Sequence, residues 1–285
     1  MLLPNLLPNA TPPAAPPAAL NSLSVSIVVY RLNAPELLAN VRSLRSAASH
    51  AALTQVVLTL IDNSEQSELA ASLREVALSG GWPDAQIVSG HGNVGYGAGH
   101  NLAILASTAA AHLVLNPDVE MDVPALLHAL NTLGEPRTVL VGAVGRDADG
   151  TPGHLSKRMP SVWTFFLRGF APRWLKQRFA SRLAHYEYHD LPTDRAVPVT
   201  LVSGAFMLCR GDALRAVNGF DEHYFLHFED LDLSLRLAAL GRVMSDPQVT
   251  LIHHGGHAAK KGAAHLKIFL RSGLRFFNTH GWRWR

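Results

Sequence analysis

From Ser24 onward, short apolar runs alternate with stretches of helical periodicity. SVSIVVY (24–30) has the character of a buried strand, and PELLANVRSLRSA (35–47) brings Leu37, Leu38, Val41 and Leu44 onto one helix face behind a proline start. QVVLTLIDNS (55–64) predicts a second strand ending in turn residues. SELAASLREVAL (67–78) predicts a helix stopped by Gly80 and Gly81, and AQIVSG (85–90) a third strand. A further helix is expected from about Gly97 through NLAILASTAA, ahead of the strand AHLVLNPDV (111–119). This alternation predicts parallel β-α-β units in an α/β fold, whose ligands bind at the carboxyl ends of the strands.

The second half is less regular. PALLHALNTL (124–133) predicts a helix, TVLVGAVG (138–145) a strand, and TLVSGAFMLCR (200–210) a strand with a glycine inside it. DALRAVNG reads as a short capped helix, and EDLDLSLRLAALG (229–241) as a helix with acids in its first turn and glycine after its end. Residues 154–190 carry aromatic and helical content without a clean period. The proline-rich, uncharged segment 1–22 predicts a disordered tail, since it can neither run a helix nor pair as an inner strand. It lacks the basic start and unbroken apolar run of a signal peptide.

With 285 residues, 48% apolar and 16% charged, the chain can bury a large core, which excludes wholesale disorder. Its single cysteine, Cys209, excludes a disulfide scaffold and a thiolate zinc cage, and points to a reducing cytoplasm. Cys209 sits inside the apolar run AFMLC and reads as core. No window reaches the roughly 18 unbroken apolar residues of a membrane-spanning helix. The net charge of +3 hides an uneven distribution: residues 154–185 and 260–285 hold seven Lys/Arg each and no acid. The remaining 11 bases face all 22 acids, so an acidic body wears two basic patches. Such patches suit phosphates, anionic lipid headgroups or nucleic acid, or are solvated helix faces.

Several clusters have the residue types that chemistry requires. Asn116-Pro117-Asp118 follows an apolar strand, where Asp118 reads either as a ligand for a hard divalent cation that also holds phosphates or as a plain turn residue. Asp62 and Asn63 end the second strand in the same way. Asn93-Val94-Gly95-Tyr96-Gly97-Ala98-Gly99-His100-Asn101 precedes a helix, but its glycines do not follow the first strand and their spacing is not that of a dinucleotide fingerprint, so a nicotinamide or flavin enzyme is disfavoured. What remains is a loop whose backbone can approach a ligand, with a helix amino end aimed at an anion.

In Phe228-Glu229-Asp230-Leu231-Asp232, Asp230 and Asp232 point about 200° apart on a helix. Asp232 is placed to pair with Arg236 at i+4, which leaves Asp230 or Glu229 for the cleft, and the aromatic surround of Tyr224, Phe225 and Phe228 raises a carboxylate pKa toward a useful base. His253-His254-Gly255-Gly256-His257 is the densest histidine cluster, with spacing unlike a zinc protease or finger.

Taken in order, SVSIVVY, IDNS, NVGYGAGHN, LNPDV, VSGAFMLCR, GFDEHYFLHFEDLDLSLRLAALG and IHHGGHA resemble the family 2 glycosyltransferases, closest to the rhamnosyltransferase-like branch that builds bacterial surface polysaccharides. The resemblance spans about residues 24–258. It implies a GT-A fold with a central, mostly parallel sheet, organised as a tail (1–22), a transferase domain (23–258) with its nucleotide-sugar half at about 23–150 and its acceptor half at about 151–258, and a basic amphipathic extension (259–285).

By the same resemblance, Tyr30, Asp62, Asn63, Asn93, Gly95, Asn101, Asn116 and Asp118 face the nucleotide-sugar donor, and Gly204 and Ala205 the acceptor. Asp230, with Glu229 beside it, matches the catalytic base, and Asp118 and His253 match the site of a Mg²⁺ or Mn²⁺ ion. The implied reaction is an inverting transfer, with rhamnose from dTDP-rhamnose as the expected sugar and a glycan or lipid-linked saccharide as the acceptor. Its expected setting is the cytoplasmic face of the plasma membrane. The last segment, HLKIFLRSGLRFFNTHGWRWR (265–285), reads either as an interfacial helix on anionic lipid or as a helix docked on the body. Two other readings stay open, a silent nucleotide- or glycan-binding module of the same fold and a metal hydrolase centred on His253, His254 and His257. Nucleic-acid binding has only the basic patches behind it and no reader motif.

Overall fold

The computed structural model describes residues 20–64, 66–147, 150–254 and 263–285. The first half is the expected alternation: β1 (Ser22–Val29), α1 (Ala34–His50), β2 (Gln55–Asp62), α2 (Leu69–Ser79), β3 (Gln86–Val88), α3 (Tyr96–Ile104) and β4 (Ala111–Leu115). β5 (Val119–Met121), α4 (Ala125–Gly134), β6 (Thr138–Asp147) and the short strands β7 (Pro152–Gly153) and β8 (Ser156–Lys157) follow. Residues 154–190, without period in sequence, hold three short helices: α5 (Val162–Gly169), α6 (Arg173–Arg178) and α7 (Ala180–Tyr186). The chain continues through β9 (Val197–Pro198), β10 (Leu201–Val202), β11 (Phe206–Arg210), α8 (Gly211–Ala216), α9 (Glu229–Ala238), β12 (Arg242–His253) and α10 (Ala263–His280).

The main sheet runs β3-β2-β1-β4-β11-β6-β12-β5. β3, β2, β1 and β4 are parallel, β11 enters antiparallel between β4 and β6, and β12 is parallel to β6. Two expected strands are divided. The run 111–119 stops at Leu115, because Pro117 has no N–H for the ladder, and β5 pairs instead with β12 at the far edge. The run 200–210 divides at Ser203–Gly204: β10 pairs with β8 in a separate two-stranded sheet while β11 joins the main one. Both breaks put loops at the same edge of the sheet. The expected tail 1–22 falls outside the described residues up to position 19; Leu20 is already buried and β1 begins at Ser22.

The larger core packs α1, α2 and α4 on one face through Leu37, Val41, Leu44, Leu73, Leu126 and Leu130. Ile104 of α3, Leu214 of α8, and Leu233 and Leu237 of α9 cover the other face, together with the buried thiol of Cys209. A third cluster of Leu201, Tyr224, Phe228, Leu231, Phe276 and Phe277 fastens α10 to the entrance of α9. The C-terminal segment is thus a docked helix on one of its faces. Among the described residues no helix is long and apolar enough to cross a membrane.

Beneath the sheet, Ser26 Oγ lies 2.7 Å from His100 Nδ1 and 2.8 Å from His112 Nε2, pinning α3 to β1 and β4. Burial lowers the pKa of both imidazoles, that of His112 to about 3, and keeps them neutral in the fold. Their unfolded pKa is ~6.5, so the stability they contribute is present above that pH and is lost as pH falls below it. Urea unfolding of the wild type at pH 7 and pH 5 is expected to differ by ~2 kcal/mol for each such imidazole, and His112→Gln to remove its share of that difference. An unchanged pH dependence in the variant would contradict this account.

Candidate functional site

The sheet edge defined by the ends of β1, β2 and β4 carries most of the residues singled out in the sequence. Tyr30, just past β1, is exposed, with the Arg31 guanidinium 5.7 Å from its ring centre. Asp62, the last residue of β2, is buried, and one of its oxygens accepts from Ser64 N–H (2.9 Å) and Ser64 O–H (2.7 Å). Asn63 donates to the Gly95 carbonyl at 2.7 Å, and its side-chain oxygen lies 3.0 Å from His91 Nε2. Asn93 accepts from Gly95 N–H at 3.2 Å. Asn101 stands apart from this set. Its amide donates to Phe220 O and Glu222 Oε1, both at 2.9 Å, and accepts from Phe220 N–H at 2.8 Å, so it braces the loop before α9 from within the core.

The glycine loop is held from within the protein. Gly95 has φ +93°, and a Cβ there would lie 2.3 Å from the Phe225 carbonyl oxygen. That carbonyl also accepts the Tyr96 N–H at 3.0 Å, capping α3 from within the protein. At Gly97 a Cβ would lie 2.8 Å from Phe220 Cβ and 3.0 Å from its ring. These glycines let α3 press against the 219–228 loop, and in doing so they aim the Tyr96 side chain across the sheet edge.

Tyr96 is the residue that sequence reasoning missed. Its hydroxyl lies 2.9 Å from Asn116 Oδ1 and 2.7 Å from the Gly204 carbonyl, and with one proton it donates to one of these oxygens at a time. The Gly204 N–H in turn donates to Asp230 Oδ2 at 3.0 Å, and Asn116 N–H donates to Ala205 O at 3.0 Å. A continuous polar connection therefore joins the Asn-Pro-Asp turn after β4, the break between β10 and β11, and the first turn of α9. Burial pushes the Tyr96 phenol well above its ordinary range, reinforced by the negative charges of Glu229, Asp230 and Asp118. Those carboxylates come from segments more than a hundred positions apart in the chain. The only sequence signal was an aromatic residue between two glycines at a helix start.

Phe228 and the preceding His227 both hold φ +70°, the left-handed region that non-glycine residues avoid, and this turn delivers Glu229 and Asp230 to the cleft. Asp230 is half-buried, with Oδ2 on Gly204 N–H and Oδ1 on Leu231 N–H at 2.9 Å. Burial raises its pKa, while the two N–H groups and the Lys157 ammonium hold it down. Glu229 is buried, its Oε2 has no hydrogen-bond partner, and burial with the neighbouring Asp230 charge raises its pKa well above the usual range. The two adjacent acids are thereby differentiated: Glu229 favours its neutral form, and Asp230 has N–H groups and a cation supporting its anion. Asp232 pairs with Arg236 at 2.7 Å, as its spacing predicts, and with His280 of α10 at 2.8 Å.

Asp230 and Glu229 open onto a cavity of about 260 Å³ that also contains Lys157, Arg168 and Tyr186. Burial lowers the Lys157 pKa to about 8, against the pull of Glu187. On the other side, His253 Nε2 at the end of β12 lies 3.4 Å from Asp118 Oδ1, and His254 N–H donates to the Asp118 carbonyl at 2.8 Å. Asp118 Oδ1 is buried with no hydrogen bond. A hard oxygen donor and an imidazole nitrogen facing each other in this way fit a divalent cation that completes its shell with phosphate oxygens and water. His254 turns instead to Glu120 at 2.7 Å, and His257 lies outside the described residues. Among the described residues no group of three or more His, Cys, Asp or Glu side chains converges as a metal cage.

The chain is 30% identical over 226 residues to an N-acetylglucosaminyl-diphospho-decaprenol L-rhamnosyltransferase of Mycobacterium tuberculosis, covering 72% of this chain and 70% of that one. A stretch of 56 residues, 19% of this chain and 21% of the other, is 45% identical to the rhamnosyltransferase WbbL of Escherichia coli. Among solved structures, GalNAc-T7 with UDP, GalNAc and Mn²⁺ superposes with TM-score 0.62 at 14% identity, covering 90% of this chain; the chain spans 49% of its length. The mannosyltransferase PcManGT of Pyrobaculum calidifontis, in complex with GDP-Man and Mn²⁺, superposes with TM-score 0.60 at 14% identity, covering 93% of this chain and 66% of that one. These likenesses show a GT-A fold. No protein-family model matches the chain.

Gly95→Ala tests whether the loop geometry sets the position of Tyr96. Its Cβ meets a backbone carbonyl at a positive φ, so urea unfolding is expected to show a loss of about 2 kcal/mol or more. A loss under ~0.5 kcal/mol would show that the loop re-forms without this contact.

Proposed function

Because the chain belongs to the rhamnosyltransferase-like glycosyltransferases of GT-A fold, we propose that it carries out an inverting sugar transfer in surface-polysaccharide synthesis. The sugar is L-rhamnose from dTDP-rhamnose, and the acceptor is a hydroxyl of a lipid-linked saccharide. The observation that carries this reading is the Tyr96 bridge, which ties the Asn116–Asp118 turn to Gly204 and Asp230 through one half-buried phenol. The Mycobacterium tuberculosis relative bears the name of an enzyme that acts on a diphospho-decaprenol acceptor, which supports the acceptor class.

Asp230 is the general base. It takes the proton of the acceptor hydroxyl as that oxygen attacks the anomeric carbon from the face opposite the leaving group. The new carbon–oxygen bond forms as the bond to the diphosphate breaks, and the electron pair leaves with the nucleoside diphosphate. The configuration at the anomeric carbon inverts, with no covalent enzyme intermediate. Glu229, kept neutral beside it, avoids a second negative charge that would repel the departing diphosphate. Asp118 and His253 would hold a Mg²⁺ or Mn²⁺ ion, which when bound would supply electrostatic stabilisation of the charge growing on the diphosphate. Tyr30, Asp62, Asn63, Asn93, Gly95 and Asn116 form the donor side, and Gly204 with Ala205 the acceptor side. Asn101 acts on this site through the 219–228 loop.

Asp230→Asn is expected to lower turnover by about 10³-fold or more while donor affinity in isothermal titration changes little; lost donor affinity would show that the base is misassigned. Asp118→Asn should instead weaken nucleotide-sugar binding in the presence of Mn²⁺ and leave nucleotide binding in chelator little altered. A base must be deprotonated, so kcat/KM falls as pH drops through the Asp230 pKa, and the acid limb lies above the ordinary aspartate range. Since the Lys157 cation favours the Asp230 anion, Lys157→Ala moves that limb to higher pH. A limb that moves down would contradict the assignment.

A further inference from the structure

Beside the Asp230 cavity lies a second, almost purely apolar groove of about 470 Å³ between α5 and α10. Phe165, Phe228 and Phe269 line both spaces, so the groove opens directly off the cavity that holds Asp230. Its outer walls are Phe166 of α5, Phe170 just past its end, and Leu270 and Leu274 of α10. Leu270 is 56% exposed and Leu274 53%, while Phe276 and Phe277 of the same helix are buried against the body. Trp282, stacked on Phe277 at 5.4 Å, stands along the groove. Large exposed apolar side chains contiguous with a reaction cavity mark a binding surface rather than scattered surface residues.

Charge is arranged along the same line. Lys157 and Arg168 line the Asp230 cavity and share one carboxylate, Glu187, at 3.5 Å and 3.3 Å. Two cations on one acid leave positive charge in the cavity that holds the base, and the rings of Phe165, Phe228 and Phe269 join that cavity to the aromatic groove. A proton acceptor with cations beside it and a hydrocarbon-lined trough therefore occupy adjoining spaces.

We propose that the α5/α10 groove takes the hydrocarbon chain of the acceptor, and that Lys157 and Arg168 hold the diphosphate joining that chain to the acceptor sugar. This rests on the transfer reaction proposed above and assigns the part of its acceptor distant from the reacting hydroxyl. A single chain is the occupant that fits, because the groove runs into the reaction cavity instead of ending as a flat face. The cations line the adjoining reaction cavity, where they would serve neither a bilayer interior nor an apolar second copy.

The full chain is titrated with farnesyl diphosphate, with farnesol and inorganic diphosphate as partial probes, by isothermal calorimetry. The intact probe is expected to bind about tenfold or more tighter than either part. The pair Leu270→Glu with Leu274→Glu should weaken farnesyl diphosphate by about tenfold or more and leave inorganic diphosphate unchanged. Lys157→Ala with Arg168→Ala should weaken both diphosphates and leave farnesol unchanged. Thermal melts check folding, and the milder pair Leu270→Ser with Leu274→Ser provides a second series. Wild-type affinity for farnesyl diphosphate in a folded leucine pair overturns the proposal. Loss of binding to phosphatidylglycerol vesicles, or of a dimer in sedimentation, with the prenyl probe still bound normally, also overturns it and assigns the groove to a bilayer or to a second copy. Sugar transfer is assayed separately on the same preparations. Chain-dependent probe binding without transfer to any acceptor counts against the reaction and leaves the groove assignment standing, whereas transfer insensitive to the leucine pair with an unaltered probe titration does the reverse.

Discussion

One phenolic hydroxyl holds the candidate site together. Tyr96 reaches Asn116 after β4 and the Gly204 carbonyl between β10 and β11, and the N–H of that same glycine binds Asp230 at the start of α9. Each segment is anchored in a different part of the core, so without this connection their relative positions would depend on loops. Gly204 is buried, so its N–H and carbonyl are difficult to pair with water instead, and leaving such a group unpaired costs about 1–3 kcal/mol. The glycines before α3 serve this arrangement, because Gly95 and Gly97 let the helix start close enough to the 219–228 loop for the phenol to span the edge.

Around this connection, electrostatics separates groups that look alike in sequence. Glu229, Asp230 and Asp232 lie within four positions, yet burial disfavours the charge of the first, two backbone N–H groups and Lys157 support the second, and Arg236 pairs with the third, which also lies 2.8 Å from His280. The strained turn at His227 and Phe228 is what turns Glu229 and Asp230 toward the cavity. Left-handed backbone at non-glycine residues persists only where surrounding packing enforces it, and here Phe228 is clamped by Phe165, Phe269 and Phe276. The aromatic cluster that fastens α10 therefore also sets the orientation of the acids.

This coupling gives the C-terminal helix two roles on two faces. Its inner face completes the packing behind the site, with Arg275 on Asp221 and His280 on Asp232, while its outer face leaves leucines in a row above the α5/α10 groove. An amphipathic basic segment in sequence suits a lipid surface or a docking partner equally well. In the fold its inner face is docked on the body and its outer leucines stay exposed, because one neighbour covers only part of the circumference of an 18-residue helix.

Periodicity in the sequence was enough to determine the α/β class, the strands β1, β2 and β6, the helices α1, α2, α4 and α9, and the Asp232–Arg236 pair, because strand and helix spacing and i+4 contacts are local properties. The ordered motifs likewise pointed to the glycosyltransferase family. The transfer of β5 to β12 at the far edge and the break at Ser203–Gly204 were not legible, since where an apolar run pairs depends on which strand lies beside it. Nor were the hub at Tyr96, the inward bracing by Asn101, the separate protonation tendencies of Glu229 and Asp230, or the groove off the reaction cavity. Each of these arises from segments distant in the chain meeting at one sheet edge, where burial and contact, rather than residue type, decide what a side chain does.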